Sequence, residues 1–140
     1  DFSVPILIHR LEAGFLANPY KNMSVFFGFW IKSPKAKRLL EDGDKINAGD
    51  LILEIMHTPG HTPGGICIKV NAVVFTGDTL FKGSVGRTDL PGSSEKALYE
   101  SIKDKLLVLD DDVVIYPGHG SSSTIGIERK TNPYLLSWKN

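Results

Sequence analysis

A chain of 140 residues, 41% hydrophobic and 23% charged, holds enough apolar side chain to bury the core of one domain. Its 16 basic and 16 acidic residues cancel, which argues against a nucleic-acid or membrane-surface partner. No apolar run reaches the ~20 residues that span a bilayer, and a single cysteine excludes an internal disulfide and fits a reducing compartment, so a cytoplasmic location is expected.

Val4 to His9 reads as a buried strand with Pro5 at its start, where a missing N–H is tolerated. His9, expected to be a partly exposed strand-end residue without a functional role, opens a short helix from Arg10 to Ala17 that Asn18-Pro19 stops. Tyr20, Phe26, Phe27, Phe29 and Trp30 follow without clean strand or helix spacing. A loop packed over a sheet is the plain reading, and a pocket wall or self-association surface the sharper one. Ser33 to Asp50 is polar and of mixed charge, a solvated surface, with turns at Asp42-Gly43 and Ala48-Gly49-Asp50 that leave a short strand at Lys45 to Asn47.

Leu51 begins a longer apolar strand that breaks into His57-Thr-Pro-Gly-His61-Thr-Pro-Gly-Gly65, a loop that two prolines and three glycines pre-order. Gly65 to Val70 alternates as a strand, with Cys67 inside it as a buried structural thiol, and Asn71-Ala72 turns the chain back into Val73 to Thr76, which ends in Gly77-Asp78. Lys82 to Gly92 is a Gly/Pro-bearing loop in which Arg87 can pair with Asp89. Ser93 or Ser94 caps a helix running to about Leu107, whose Leu98, Ile102 and Leu106, with Tyr99 alongside, form one apolar stripe. Asp110 to Asp112 is a solvated turn. Val113 to Tyr116 is another strand, ending in Pro117-Gly118-His119-Gly120; Ser121 to Thr124 is a polar loop, and Ile125 to Lys130 a helix that Pro133 limits.

Three apolar strands thus deliver a metal-type side chain just past their C-terminal ends: His61, with His57 close by, Asp78 and His119. Buried strands lie side by side in a sheet, so these loops can meet at one edge. Imidazoles with a carboxylate suit zinc, manganese or non-haem iron.

His57-Thr-Pro-Gly-His61-Thr-Pro-Gly, Phe75-Thr-Gly-Asp78-Thr-Leu-Phe, Gly83-Ser-Val-Gly-Arg87-Thr-Asp-Leu-Pro-Gly92, Tyr116-Pro-Gly-His119-Gly and Glu128-Arg-Lys-Thr-Asn132-Pro133 together resemble the metallo-β-lactamase superfamily, in particular its glyoxalase II-like, or hydroxyacylglutathione hydrolase-like, branch. The resemblance implies an α+β fold, an αββα sandwich. The superfamily's His-x-His-x-Asp-His motif is absent: the four histidines are His9, His57, His61 and His119. Residues 1–140 are therefore expected to form a single, N-terminally incomplete domain, the C-terminal and larger part of that sandwich, with apolar sheet surface exposed to self-association.

The resemblance further implies metal-assisted hydrolysis of a small-molecule thioester. Two zinc ions, with iron or manganese as alternatives, share Asp78 and the attacking water; His61 binds the first ion and His119 the second. His61 matches the family's ligand position, so His57 is expected to support the loop by hydrogen bonding, and Arg87 to sit beside the centre in a structural contact first and a substrate contact second. An iron-dependent persulfide dioxygenase of the same superfamily is one rival reading, and a non-catalytic module that has lost its first metal motif another.

Overall fold

The structure is a computed structural model and describes residues 4–138; Asp1, where the chain begins, lies outside the described residues. The chain falls into two units, residues 1–41 and 42–140.

In the first unit Leu7–His9 (β1) runs on through a 3-10 turn, Arg10–Glu12, into Ala13–Ala17 (α1). β1 pairs in parallel with Arg38–Leu40 (β2), a strand the sequence does not announce, because three residues with one buried side chain are too few to show a period. His9 is buried, contrary to the expected exposed strand end: its Nδ1 accepts from the Leu11 N–H at 3.4 Å and so caps the turn. The plain reading of the aromatic stretch, a loop packed over a sheet, is also corrected. Ser24–Phe27 is a one-turn 3-10 helix, and Phe26, Phe27, Phe29 and Trp30 are 62–75% exposed. Phe26 and Phe27, adjacent on so short a turn, point to different sides, and Phe29 and Trp30 lie beyond it.

The second unit is built on a six-stranded sheet. Lys45–Ala48 (β3), Leu51–His57 (β4), Ile66–Val70 (β5) and Val73–Gly77 (β6) form an antiparallel series, a small hairpin of Leu80–Phe81 (β7) and Ser84–Val85 (β8) follows, and Val114–Pro117 (β9) then lies parallel to β6. Ser123–Thr124 (β10), expected as loop, closes the far edge against β9. Because β5 reverses direction between them, β4, β6 and β9 all run the same way. Their C-terminal ends therefore share one edge, as the site requires.

Glu95–Ser101 (α2) begins at the Ser94 cap, whose Oγ accepts from the Ala97 N–H at 3.2 Å. The expected helix to Leu107 is continuous only in part, since Ile102–Leu106 widens into a π turn. The stripe survives this change: Leu98, Ile102 and Leu106 are buried with Met56, Cys67, Val74 and Ile115 on one face of the sheet. On the other face the register partners Phe75 and Tyr116 stack at 5.9 Å and stay about half exposed.

Ile125–Thr131 (α3) and Pro133–Ser137 (α4) complete the unit. Pro133 ends one helix and starts the next, with Asn132 Oδ1 accepting from the Tyr134 N–H at 3.1 Å. Asp111 is no mere solvated turn residue: it pairs with Arg129 and, at 3.0 Å, with Lys130. Arg129 also donates to the Leu107 and Leu109 carbonyls at 2.8 and 2.7 Å, tying α3 to the end of the π turn.

Cys67 Sγ lies 3.3 Å from Thr58 Oγ1, and burial pushes its thiol up to about 11 from 9.0. A thiol whose folded-state pKa is raised contributes its full stability below 9.0 and loses it as pH rises through about 11. Urea unfolding across pH 8–11 is thus expected to show a fall above pH 9 that is smaller in Cys67→Ala, and the native thiol should resist disulfide-exchange reagents until the chain unfolds.

Candidate metal centre

The loop after β4 is closed by its own backbone: the Thr58 N–H donates to the Gly65 carbonyl at 2.8 Å and the Gly60 N–H to the Thr62 carbonyl at 3.1 Å. From below, Ser101 Oγ donates to the Pro59 carbonyl at 2.7 Å, and the Ser94 N–H to the Gly60 carbonyl at 2.8 Å. His57, the last residue of β4, turns its ring to the same loop, with Nε2 3.0 Å from the Pro63 carbonyl oxygen and its backbone N–H on Asp42. Its imidazole is not among the side chains that line the cleft described next.

At the C-terminal edge of the sheet the three other residues meet. His61 Nδ1 is 2.9 Å from the Arg87 carbonyl. A carbonyl only accepts, so Nδ1 carries the proton and Nε2 presents its lone pair, 3.6 Å from Asp78 Oδ2. His119 Nε2 lies 3.6 Å from the other oxygen, Asp78 Oδ1, and its ring stacks on Phe81 with centroids 4.5 Å apart. Both separations are too long for a hydrogen bond. They are close to the ~3.4 Å expected between a nitrogen and an oxygen bound to one tetrahedral zinc. Among the described residues no three His, Cys, Asp or Glu side chains close around one point. The arrangement is instead two imidazoles, each near a different oxygen of one carboxylate.

Two glycines permit this approach. A Cβ on Gly118 would lie 2.8 Å from Asp78 Oδ1, and one on Gly86 would lie 2.0 Å from the Asp78 carbonyl oxygen and 3.2 Å from His61 Cβ. The pairing of β6 with β9 also shifts register between Phe75 and Gly77, where the strand turns Asp78 out of the ladder.

The cleft above the carboxylate has a volume of about 420 Å³ and is lined by His61, Asp78, Phe81, Lys82, Arg87 and His119 among others. Exposure rises across it, from 21% for the His61 side chain through 43% for Asp78 to 76% for His119, so one imidazole is fixed in the wall and the other stands at the mouth. Arg87 makes a two-pronged ion pair with Asp89, both bonds 2.7 Å. Hydrogen bonding from that guanidinium brings the Asp89 carboxyl down to about 2. The guanidinium thus braces its own loop while the Arg87 carbonyl orients His61.

Two buried residues that sequence reasoning quoted without giving them a role lie next to this wall. Glu128 Oε2 accepts from the Gly83 N–H and from Asn132 Nδ2, both at 2.8 Å, and Glu128 Oε1 from Ser123 Oγ at 2.5 Å. The available signal was the four-residue spacing of an acid and an Asn-Pro on one helix, which places both side chains on one face.

The profile of the metallo-beta-lactamase superfamily matches residues 1–119. The chain is 46% identical over 143 residues to an uncharacterized protein of Mycobacterium leprae, covering 96% of this chain and 66% of that one. It is 46% identical over 99 residues to the hydroxyacylglutathione hydrolase GloC of Haemophilus influenzae, covering 69% of this chain and 47% of that protein. With the human mitochondrial persulfide dioxygenase ETHE1 it shares 41% identity over 102 residues, 69% of this chain and 40% of that one. Among solved structures it is similar to the B3 metallo-beta-lactamase BLEG-1, with a TM-score of 0.89 at 37% identity, and to TTHA1623 in a di-iron-bound form, with 0.83 at 38%. Each alignment covers 96% of this chain and 66% of that structure.

Gly118→Ala and Gly86→Ala are each expected to cost about 1–3 kcal/mol in urea unfolding, the usual range for overpacking. Gly14→Ala, whose Cβ meets only the flexible Lys21 side chain at 3.5 Å and beyond, serves as the comparison: if Gly118→Ala moves the Asp78 resonances no more than Gly14→Ala does, the close-approach account fails.

Proposed function

The chain belongs to the metallo-beta-lactamase superfamily, and from that premise we propose that it acts as a metal-dependent hydrolase of the glyoxalase II-like kind, cleaving a small-molecule thioester of the hydroxyacylglutathione type. One observation carries the reading: a single carboxylate, Asp78, with an imidazole 3.6 Å from each of its oxygens. His61, Asp78 and His119 would hold the metal, two divalent ions in the complete domain, zinc first and iron or manganese as alternatives. Divalent ions there would supply Lewis acidity toward a carbonyl and lower the pKa of a coordinated water towards neutrality.

The chain's own residues prepare that chemistry. The Arg87 carbonyl, by holding the Nδ1 proton, orients the His61 ring so that Nε2 faces Asp78. Phe81 keeps the His119 ring facing Asp78, and the Arg87–Asp89 pair stiffens the loop that carries the carbonyl. A thiolate leaves without a strong general acid, so no side chain of the cleft needs to act as nucleophile or acid. Divided between two ions, one imidazole and one carboxylate oxygen apiece would fall short of the three protein ligands usual in catalytic zinc sites, so weak or partial occupancy is expected of these 140 residues. The single buried thiol suits a reducing cytoplasm.

Similarity to the persulfide dioxygenase favours a second reading, since two histidines and one carboxylate are also the ligand set of non-haem iron oxygenases. Here the imidazoles sit on different carboxylate oxygens rather than around one point, which favours the hydrolase.

Metal uptake from Zn²⁺, Mn²⁺ and Fe²⁺ by equilibrium dialysis, with thiol release from S-lactoylglutathione, tests the proposal. His61→Ala, Asp78→Asn and His119→Ala should each lower occupancy and turnover by more than about tenfold, in keeping with the loss of a direct ligand. Binding of one iron with oxygen consumption on a persulfide would replace the hydrolase with the dioxygenase, and no metal uptake at all would sink both.

A further inference from the structure

The two imidazoles of the centre are held in different ways. His61 is fixed by a hydrogen bond to the Arg87 carbonyl. His119 is 76% exposed, and the contact that sets its ring is the stack on Phe81, centroids 4.5 Å apart and planes 29° from parallel. Phe81 belongs to β7, and β7 and β8 are strands of two residues each. So short a hairpin has no stability of its own.

What fixes it comes from α3. Gly83, in the hairpin turn, gives its N–H to Glu128 Oε2, and Asn132 Nδ2, one turn along from Glu128, reaches both that oxygen and the Ser84 carbonyl at 3.1 Å. Glu128 and Asn132 are fully buried, and every hydrogen bond of the carboxylate is made inside the protein. Burying a carboxylate is costly unless its bonds are made, and simple packing would be served by an apolar side chain. Here the buried acid is spent on the turn that carries the aromatic wall.

We propose that Glu128 is a positioning residue for the metal centre, acting through the Gly83 turn and Phe81 to hold the ring of His119 against Asp78. Its influence on metal affinity rests on the hydrolase reading above; its influence on the His119 ring does not. Glutamine can replace it, because the amide oxygen takes the place of Oε2 while the NH₂ faces Ser123 Oγ, a hydroxyl that accepts as readily as it donates.

The test has two readouts on the folded chain. NMR of the His119 ring protons without metal reads the ring current of Phe81, and Zn²⁺ competition with a chromophoric chelator reads affinity. Glu128→Ala and Phe81→Leu should each move the His119 shifts towards those of a solvent-exposed histidine and weaken Zn²⁺ binding on the order of tenfold. Glu128→Gln should stay within about twofold, and the double variant should lose no more than either single one. Should Glu128→Ala fail to fold, Glu128→Asp, which withdraws the carboxylate from the Gly83 N–H, takes its place.

The proposal is overturned if these variants only lower the melting temperature while His119 shifts and Zn²⁺ affinity are unmoved, or if the losses from Glu128→Ala and Phe81→Leu multiply. Absence of Zn²⁺ binding in the wild-type chain would instead overturn the hydrolase reading, and the ring shifts would still decide the role of Glu128.

Discussion

The carboxylate of Asp78, shared between two imidazoles, is the constraint from which the second unit takes its form. Two donors on opposite oxygens at 3.6 Å must come from separate loops, and three loops reach one place only when the strands feeding them run the same way. β5 provides the reversal that makes β4 parallel in direction to β6, and the return through α2 and the π turn places β9 beside β6. The shift in register after Phe75 then frees Asp78 from the ladder, and the lack of side chains at Gly86 and Gly118 leaves room for its backbone and its carboxylate.

Rigidity is supplied from beneath. The apolar stripe of Leu98, Ile102 and Leu106 seats the helical layer on the sheet, while small polar groups join the loops to that layer. Thr58 Oγ1 lies 3.3 Å from both Cys67 Sγ and Thr79 Oγ1, linking the loop after β4 to the residue that follows Asp78. No buried side-chain nitrogen or oxygen among the described residues lacks a partner. Such networks order a site only when fully satisfied, because in a low-dielectric interior each unmade bond costs about as much as several made ones contribute.

The metallo-beta-lactamase fold hosts several chemistries, and membership in the superfamily leaves the substrate open. In this chain the cleft commits one of its cations early: Arg87 is bound on both prongs to Asp89 and serves the site through its carbonyl. Lys82, also on the wall, belongs to the hairpin that Glu128 and Asn132 anchor. Relatives with a hydrolase and a dioxygenase name both align with this stretch of chain, which spans less than half of either protein. Discrimination between such chemistries is therefore argued from how donors are distributed around the carboxylate.

Much was legible in the residues because it depended on local rules. Apolar runs ending in Gly, Pro and His marked β4, β6 and β9 and the loops beyond them; the spacing of Leu98, Ile102 and Leu106 marked the buried face of the helix; and the alternation around Cys67 marked a buried thiol. What only the tertiary structure decided involved partners far apart in sequence. β2 and the hairpin of β7 and β8 are too short to carry a period, and His9 is buried by a turn that its own imidazole caps. The aromatic stretch could read as core, yet Phe26 and Phe27, adjacent on one 3-10 turn, and Phe29 and Trp30 beyond it are all exposed. Glu128 shows the difference most clearly. Its sequence neighbours describe an ordinary helix, and its role comes from a turn 45 residues away that gives its N–H to the carboxylate. Periodicity records which face a residue occupies, but hydrogen bonds between remote segments are set only when the chain closes on itself.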